Sequence, residues 1–200
     1  MVTLKEKLKD IGAVILLWLM MAWEDIKDIF TTVIVTLLVV TLINTFFFKI
    51  VVVSGTSMYP TIKSGSIGFS NIISRKLSGI ERFDIVVINA EDRGKNLIKR
   101  VIGLPNETIT YSQGKLYIND QEYSEDFLDQ DYVISQTGGT KVFTGDFTYT
   151  LGSNEYFCMG DNRMVSADSR IYGPFTEDEI IATNIFVIYP FGEFGIRNGN

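Results

Sequence analysis

The sequence predicts a mainly β protein: an antiparallel β-rich domain that follows an N-terminal transmembrane helix. A run of 20 residues without a charged side chain, Ile29 to Phe48, stands near the N-terminus. Short apolar runs separated by turn residues fill the rest of the chain, and no long helical period appears after residue 50. We therefore divide the chain into an N-terminal segment (1–28), a transmembrane helix (29–48) and an extracytoplasmic β domain (49–200).

The apolar run from Ile29 to Phe48 is long enough to cross a bilayer, because 20 helical residues span about 30 Å. It ends in three consecutive Phe residues, which is typical of a membrane interface. The run before it, Ile11 to Trp23, has only 13 residues, which is short for a span. We expect an interfacial or partly inserted helix there; a cleavable signal peptide and a second short span are the alternatives.

Basic residues predict the orientation of this anchor. Four lysines precede the span, at positions 5, 7, 9 and 27, whereas Lys49 follows it. The positive-inside rule then puts the N-terminus in the cytoplasm and residues 50–200 outside, as in a single-pass protein of the cell membrane. The lipid bilayer is therefore an expected partner, and the oligomeric state stays open.

Composition excludes several classes of function. The 200-residue chain has a net charge of -6, no His and one Cys. The acidic balance argues against nucleic acid as a partner, because phosphate binding needs a basic face. Without His, a Ser-His-Asp triad is impossible and a zinc site lacks its usual ligands, so we expect no metal and no cofactor. Cys158 has no partner for an intrachain disulfide.

Short β-like runs occupy the predicted domain. They are Ile67–Phe69, Asp84–Asn89, Lys95–Ile102, Lys115–Ile118, Phe147–Leu151, Tyr156–Met159 and Ile180–Tyr189. Turn signals separate them, at Ser64-Gly65, Arg93-Gly94, Gln113-Gly114, Asn119-Asp120, Gly138-Gly139 and Gly152-Ser153. A hairpin is predicted for Thr108–Tyr111 and Lys115–Ile118, which Ser112-Gln113-Gly114 joins. Residues 119–146 are polar and predict an exposed excursion.

Ser57 is the candidate nucleophile. It lies in the segment Ser54-Gly55-Thr56-Ser57-Met58-Tyr59-Pro60-Thr61, eight residues past Lys49. A serine needs a base, and without His the remaining activators are Lys, a carboxylate or an amino terminus. The amino terminus lies across the membrane in the predicted topology.

Lys99 is the lysine whose sequence context suits a base. On a strand, Leu97, Lys99 and Val101 share one face, and Ile98, Arg100 and Ile102 share the other. A lysine between apolar neighbours is desolvated, which lowers its pKa towards the range that a base needs. The alternative is a structural lysine whose ammonium extends to water from a half-buried strand.

A third polar segment follows the Tyr156–Met159 run. It reads Gly160-Asp161-Asn162-Arg163-Met164-Val165-Ser166-Ala167-Asp168-Ser169-Arg170. By itself it is typical of a solvated turn with local side-chain hydrogen bonds. Asp168 and Arg170 are two apart, so on an extended stretch they face the same way and can pair.

Together the three segments resemble those of bacterial type I signal peptidases, in the same order and behind the same kind of anchor. The matching stretches are Ser57–Thr61, Lys99-Arg100-Val101-Ile102-Gly103-Leu104-Pro105, and Gly160–Arg163 with Ser166–Arg170, and Trp23-Glu24 resembles the family's membrane entry. Met164-Val165 departs from the family, where polar residues are common. The single anchor resembles that of the Gram-positive branch. The resemblance implies the family's β-rich catalytic fold and a Ser-Lys endopeptidase. Such an enzyme removes N-terminal signal peptides from exported preproteins, which are then its partners.

The resemblance also implies roles for individual residues. Ser57 would be the nucleophile and Lys99 the general base. Ser166 would orient the lysine amine, and Asp168 would form a supporting ion pair with Arg170. Asp161 and Arg163 would shape the loop. Met58 would pack beside the nucleophile. Small substrate residues at positions -1 and -3 would enter shallow apolar pockets, for which Val51, Val53 and Ile98 are the candidates.

The oxyanion site departs from the family pattern. The backbone N–H of Ser57 is one expected donor. Some members carry a hydroxyl residue two positions before the nucleophile as the second donor, where this chain has Gly55.

Two other functions stay open for this sequence: a self-cleaving Ser-Lys regulator, and a non-catalytic or specialised surface-protein or pilus assembly factor on the same fold.

Overall fold

The computed structural model describes residues 4–72, 78–90, 95–140 and 142–197. The chain forms two compact units, Met1–Thr45 and Phe46–Asn200. The first unit is one helix, α1, which runs without a break from Leu4 to Phe46. Its segment Ile15–Ile43 is long and apolar enough to cross a membrane, with a mean hydropathy of 2.2 and none of its surface buried in the structure. The helix ends before Phe48, the last residue of the predicted span, which instead begins a strand.

The second unit is mainly β, which confirms the predicted fold class. Its strands are β1 (Phe48–Val52), β2 (Ile67–Asn71), β3 (Ile85–Ala90), β4 (Lys95–Gly103), β5 (Thr108–Ser112), β6 (Lys115–Ile118), β7 (Gln121–Tyr123), β8 (Phe147–Thr150), β9 (Glu155–Met159), β10 (Phe175–Thr176), β11 (Ile180–Tyr189) and β12 (Gly195–Arg197). Two short helices, α2 (Gln130–Thr137) and α3 (Ser169–Tyr172), and two 3₁₀ turns, Glu177–Glu179 and Phe191–Glu193, complete it. The sequence did not predict β1, β7, β10 or β12, which are short or adjoin other elements.

The strands form two antiparallel sheets. The larger has the order β1-β2-β11-β3-β4-β9-β10, and β12 pairs with β11. The smaller has the order β7-β6-β5-β8. Only the C-terminal part of β4 pairs with β9, from Arg100 opposite Met159 onward. The N-terminal half of β4 therefore pairs with β3 alone among the described strands.

The predicted hairpin is present as β5 and β6, with Ser112 opposite Lys115. Its two loop residues, Gln113 and Gly114, both have positive φ angles, +50° and +78°. That is the turn geometry that matches the twist of two paired strands. The turn predicted at Arg93-Gly94 lies outside the described residues.

Residues 119–146 are more ordered than the predicted exposed excursion. They include β7 and α2, and Leu128, Val133 and Phe143 form a small buried cluster there. Asp129 caps α2 by accepting a hydrogen bond from the Tyr132 N–H at 2.9 Å. This local cluster gives the segment its own packing.

The main core lies against both sheets. One buried cluster joins β1, β3 and β11 to the segment after β1, through Val51, Val53, Met58, Ile62, Ile85, Val87, Ala182, Ile185 and Val187. A second joins β4 and β9 to the smaller sheet, through Ile102, Phe157, Met159, Ile109, Tyr111, Leu116, Ile118 and Leu151. The first cluster fixes the segment that carries Ser57 against the larger sheet, and the second fixes the two sheets against each other.

Candidate active site

The segment that carries Ser57 is a tight turn held by its own backbone. The Tyr59 N–H donates to the Thr56 carbonyl at 3.1 Å, and the Ile62 N–H donates to the Met58 carbonyl at 2.9 Å. Met58, exposed by only 2%, anchors the turn in the core. Ser57 itself is partly exposed at the surface of this turn.

Gly55 has a backbone reason to be glycine. Its φ is +99°, a region that residues with a Cβ adopt only with strain. Its N–H donates to the Ser64 hydroxyl at 3.2 Å. A hydroxyl side chain at this position would therefore strain the turn. Among the described residues nothing accepts the Ser57 N–H, which leaves that donor available to an oxyanion.

Lys99 contacts Ser57 directly. Its Nζ donates a hydrogen bond to the Ser57 Oγ at 2.8 Å, although the two residues are 42 positions apart. Lys99 lies on β4 opposite Val86 and is only 2% exposed. Burial lowers the pKa of Lys99 from 10.5 to about 8, opposed by the negative charge of Asp168 and assisted by the positive charge of Lys95. The sequence argument expected this desolvation.

The third segment packs directly on the backbone of the nucleophile. The Asn162 N–H donates to the Ser57 carbonyl at 2.9 Å, and its side-chain amide donates to the Thr56 carbonyl at 3.1 Å. Gly160 lies so close that a Cβ at this position would overlap the Ser57 carbonyl oxygen and the Ser166 hydroxyl. This segment is therefore a buried part of the site, in contrast to a solvated turn.

Asp161 connects the Ser57 turn with strand β4. Its carboxylate accepts from the Arg100 guanidinium at 2.9 and 2.7 Å and from the Thr61 hydroxyl at 2.6 Å. Both side chains of the ion pair are at most 1% exposed. Arg100 follows Lys99 and Thr61 follows the nucleophile turn, so one buried carboxylate fixes both segments at once.

Arg163 holds the loop from the other side. Its guanidinium donates to the Gly160 carbonyl at 3.1 Å, the Tyr111 hydroxyl at 2.9 Å, the Thr144 hydroxyl at 3.1 Å and the Glu125 carboxylate at 2.6 Å. Burial acts to lower the pKa of Arg163, but the charge of Glu125 holds it above its ordinary value. The predicted loop-shaping residue thus binds the segment 119–146 to the site.

Asp168 and Arg170 form the expected ion pair, with Arg170 Nε 2.8 Å from Asp168 Oδ1. Asp168 also accepts from the Gly160 N–H at 3.0 Å and caps α3. Burial acts to raise the pKa of Asp168, but the hydrogen bond and the charge of Arg170 hold this pKa below its ordinary value. Ser166 is buried beside Gly160, and its hydroxyl lies close enough to Asp168 to contribute to the lowered pKa of that carboxyl, although no hydrogen bond of full geometry links it to the described residues. Its expected contact with the lysine amine is therefore not present, and an orienting role for Ser166 stays a prediction.

Sequence reasoning missed two of these partners, Arg100 as the partner of Asp161 and Glu125 as the partner of Arg163. Arg100 carried a usable signal, since it shares a strand face with Ile98 and Ile102. A buried arginine needs a carboxylate, but the sequence does not indicate which of the acidic residues supplies it. Glu125 carried no such signal, because its segment is polar throughout.

A cavity of about 580 Å³ opens beside the Ser57–Lys99 pair. Its walls include the three predicted pocket residues, Val51, Val53 and Ile98. Sequence reasoning missed other lining residues, among them Val87, Lys95, Val165, Ala167 and Tyr172. The apolar lining next to the nucleophile suits small aliphatic groups.

The arrangement places a serine hydroxyl next to a buried amine of lowered pKa, which are the two groups that acyl transfer by a Ser-Lys hydrolase requires. Burial raises the pKa of Cys158, so its thiol does not compete as a nucleophile.

Comparison with known proteins agrees with this class. The model of the signal peptidase family, peptidase S26, matches residues 26–189. Signal peptidase I U of Bacillus subtilis is 40% identical over 149 residues, 74% of this chain and 79% of the relative. Signal peptidase I of Streptococcus pneumoniae is 36% identical over 181 residues, 75% of this chain and 86% of the relative. The chain belongs to the signal peptidase family, peptidase S26.

The solved structures that are similar to this chain include a crystal structure of a signal peptidase I from Enterococcus faecalis. It is 34% identical and covers 52% of this chain and 95% of its own, with a TM-score of 0.48.

Proposed function

We propose that the protein is a membrane-anchored signal peptidase I, a serine endopeptidase that removes N-terminal signal peptides from exported preproteins. Ser57 is the nucleophile and Lys99 the general base. The observation that carries this proposal is the 2.8 Å hydrogen bond between a buried lysine, with a pKa of about 8, and the Ser57 hydroxyl. Membership of the family and an N-terminal helix long enough to cross a membrane support it independently.

The reaction begins when neutral Lys99 removes the proton of the Ser57 hydroxyl as its oxygen attacks the scissile carbonyl. The free Ser57 N–H stabilises the developing oxyanion. The protonated lysine then gives its proton to the leaving amine, which departs as the N-terminus of the mature protein. A water molecule, activated by the same lysine, hydrolyses the acyl-enzyme and frees the signal peptide.

Two unpaired strand edges line the cavity and suit an extended substrate. β1 pairs only with β2, and the first half of β4 pairs only with β3, among the described strands. An extended peptide can add to such edges through backbone hydrogen bonds and present alternate side chains to pockets. Val51, Val53 and Ile98 then favour small residues at positions -1 and -3.

The proposed topology places the cleavage reaction outside the cytoplasm. The lysines before the span favour a cytoplasmic N-terminus. Ser57 follows Lys49 by eight residues, which reach at most about 28 Å when fully extended. The nucleophile is therefore tethered within reach of the outer membrane surface, where the cleavage site of a signal peptide emerges. The lipid bilayer and preproteins are the proposed partners, and nucleic acid is not.

Cleavage of a preprotein in detergent tests the proposal. We expect Ser57→Ala and Lys99→Ala each to abolish cleavage, because each removes one of the two groups that transfer the proton. Matched controls are Ser153→Ala in an exposed loop and Lys115→Ala, whose exposed ammonium pairs with Glu122 on the smaller sheet. Both controls should retain full activity. Near-full activity of Lys99→Ala would refute the mechanism.

A further inference from the structure

Two exposed lysines line the active-site cavity at a distance from the reacting pair. Lys49 on β1 and Lys95 on β4 lie in the same cavity wall as Ser57 and Lys99. In the described part of the chain, neither lysine forms an ion pair or a side-chain hydrogen bond. No Asp or Glu is among the residues that line the cavity. The groove therefore carries positive charge that no described acidic group neutralises.

The strands set the distance of these charges from the chemistry. Lys95 precedes Lys99 by four residues on β4, so both side chains lie on the same face of the strand. At about 3.3 Å per residue, Lys95 stands roughly 13 Å from Lys99 along the groove. An extended substrate covers the same distance in about four residues. Lys95 thus faces a substrate residue about four positions from the scissile bond.

The direction of the strands indicates which side of the scissile bond this is. β1 runs from Phe48 towards Ser57, and β4 runs from Lys95 towards Lys99, so both edges lead to the reacting pair. Lys49 follows the end of α1 by three residues. The apolar core of a signal peptide lies in the bilayer and precedes the cleavage site, so the substrate enters at this lysine end.

We propose that Lys95, assisted by Lys49, forms a subsite for a substrate carboxylate about four residues N-terminal to the scissile bond. The inference rests on the proposed function and adds a charge preference to it. Charge complementarity carries it: a groove with unpaired ammonium groups and no lining acid attracts a carboxylate over a neutral side chain. The enzyme then favours signal peptides with Asp or Glu in the polar stretch just before the small residues.

The subsite also acts on the general base. The charge of Lys95 contributes to the lowered pKa of Lys99. A carboxylate bound to Lys95 offsets that charge and moves the pKa of Lys99 upward. The acid limb of the pH profile of kcat therefore shifts to higher pH for an acidic substrate compared with its neutral counterpart.

Paired peptides test the subsite in non-ionic detergent. Each pair has Ala at positions -1 and -3 and differs only by Glu or Gln at one of positions -4, -5 and -6. We expect kcat/KM to favour Glu by about two- to five-fold at one of these positions at low ionic strength, as for an exposed ion pair. The preference should disappear in Lys95→Gln and at high salt. The Lys95→Glu enzyme should instead favour a peptide with Lys at that position over its Gln counterpart. The control Lys115→Gln should keep the preference of the native enzyme.

Several outcomes would overturn the inference. If native enzyme cleaves Glu and Gln peptides equally and Ser57→Ala cleaves neither, the subsite is wrong and the proposed function stands. If no peptide is cleaved in a Ser57-dependent manner, both fail. If Lys95→Gln loses binding to vesicles of phosphatidylglycerol and phosphatidylcholine but keeps the peptide preference, the lysine binds lipid headgroups. Protection of the buried Cys158 from a thiol reagent verifies that each variant is folded.

Discussion

Replacing Lys99 with methionine is expected to stabilise the folded protein at neutral pH while it abolishes cleavage. Lys99 is 2% exposed, and burial lowers its pKa from 10.5 to about 8. Because the folded pKa lies below the unfolded one, the unfolded chain binds the proton more tightly. Stability is therefore reduced below about pH 8 and rises with pH between about 8 and 10.5.

The size of the effect follows from the two pKa values. The gap corresponds to about 3 kcal/mol of lost stability at pH 7, and to about 1 kcal/mol at pH 9.5, where the folded lysine is neutral and folding only has to remove a proton from a group whose unfolded-state pKa lies about one unit above the pH. Methionine fills a similar volume without a charge but loses the hydrogen bond to Ser57, which costs about 1 kcal/mol at either pH. We expect Lys99→Met to raise the free energy of unfolding by about 2 kcal/mol at pH 7 and by close to zero at pH 9.5.

Thiol labelling measures this difference in detergent. Cys158 is the single cysteine of the chain and is fully buried, so its reaction with a thiol reagent along a urea series reports unfolding of the β domain. The matched control is Lys115→Met, which removes an exposed lysine and should change stability by less than about 0.5 kcal/mol at both pH values. A stabilisation by Lys99→Met that is equal at pH 7 and pH 9.5, or a loss of stability at pH 7, would refute the argument from burial.

Three other predictions concern the site. Cleavage by the native enzyme should rise about tenfold per pH unit below about pH 8 and level off above it, since Lys99, the proposed general base, has a pKa of about 8; a flat profile between pH 6 and 8 would contradict this. Asp161→Asn should reduce the free energy of unfolding by about 3–5 kcal/mol in the thiol-labelling assay, because it leaves the Arg100 charge buried and unpaired; a loss under 1 kcal/mol would argue against it. Gly160→Ala should reduce kcat/KM on the order of 100-fold, because the added methyl group displaces the Ser57 backbone, with native-like activity as the contrary result.

The catalytic pair shows how far sequence reasoning reached. The absence of His left a lysine, a carboxylate or an amino terminus as the base, and the alternation of apolar residues made Lys99 a candidate beside the alternative of a structural lysine. In the structure Leu97 and Val101 pack with one cluster and Ile102 with another, as the alternation predicts. The contact between Lys99 and Ser57 itself was inferred from chemistry and from family resemblance, since no local pattern encodes it.

Segment boundaries were less accessible to sequence reasoning. Apart from Lys49, the segment Phe48–Val52 is apolar and directly follows the membrane run, so the pattern of apolar residues does not separate the helix from β1. The segment Phe48–Val52 forms a strand because it pairs with β2, whose residues lie about 20 positions away along the chain. The polar segment 119–146 conceals a helix and a small core for a similar reason: three apolar residues spread over 16 positions give no period.

The sequence by itself determined the N-terminal apolar helix, the antiparallel β class and the β5–β6 hairpin, and it excluded a histidine as the base. Each depends on local composition, on spacing or on the lack of a residue type. Only the tertiary structure decided that Asp161 pairs with Arg100, that Glu125 holds Arg163, and that two open strand edges meet in one cavity. These features join residues 38 to 61 positions apart. Such pairings form because burying a charge or an apolar face requires a partner, and the folded chain alone determines which partner is within reach.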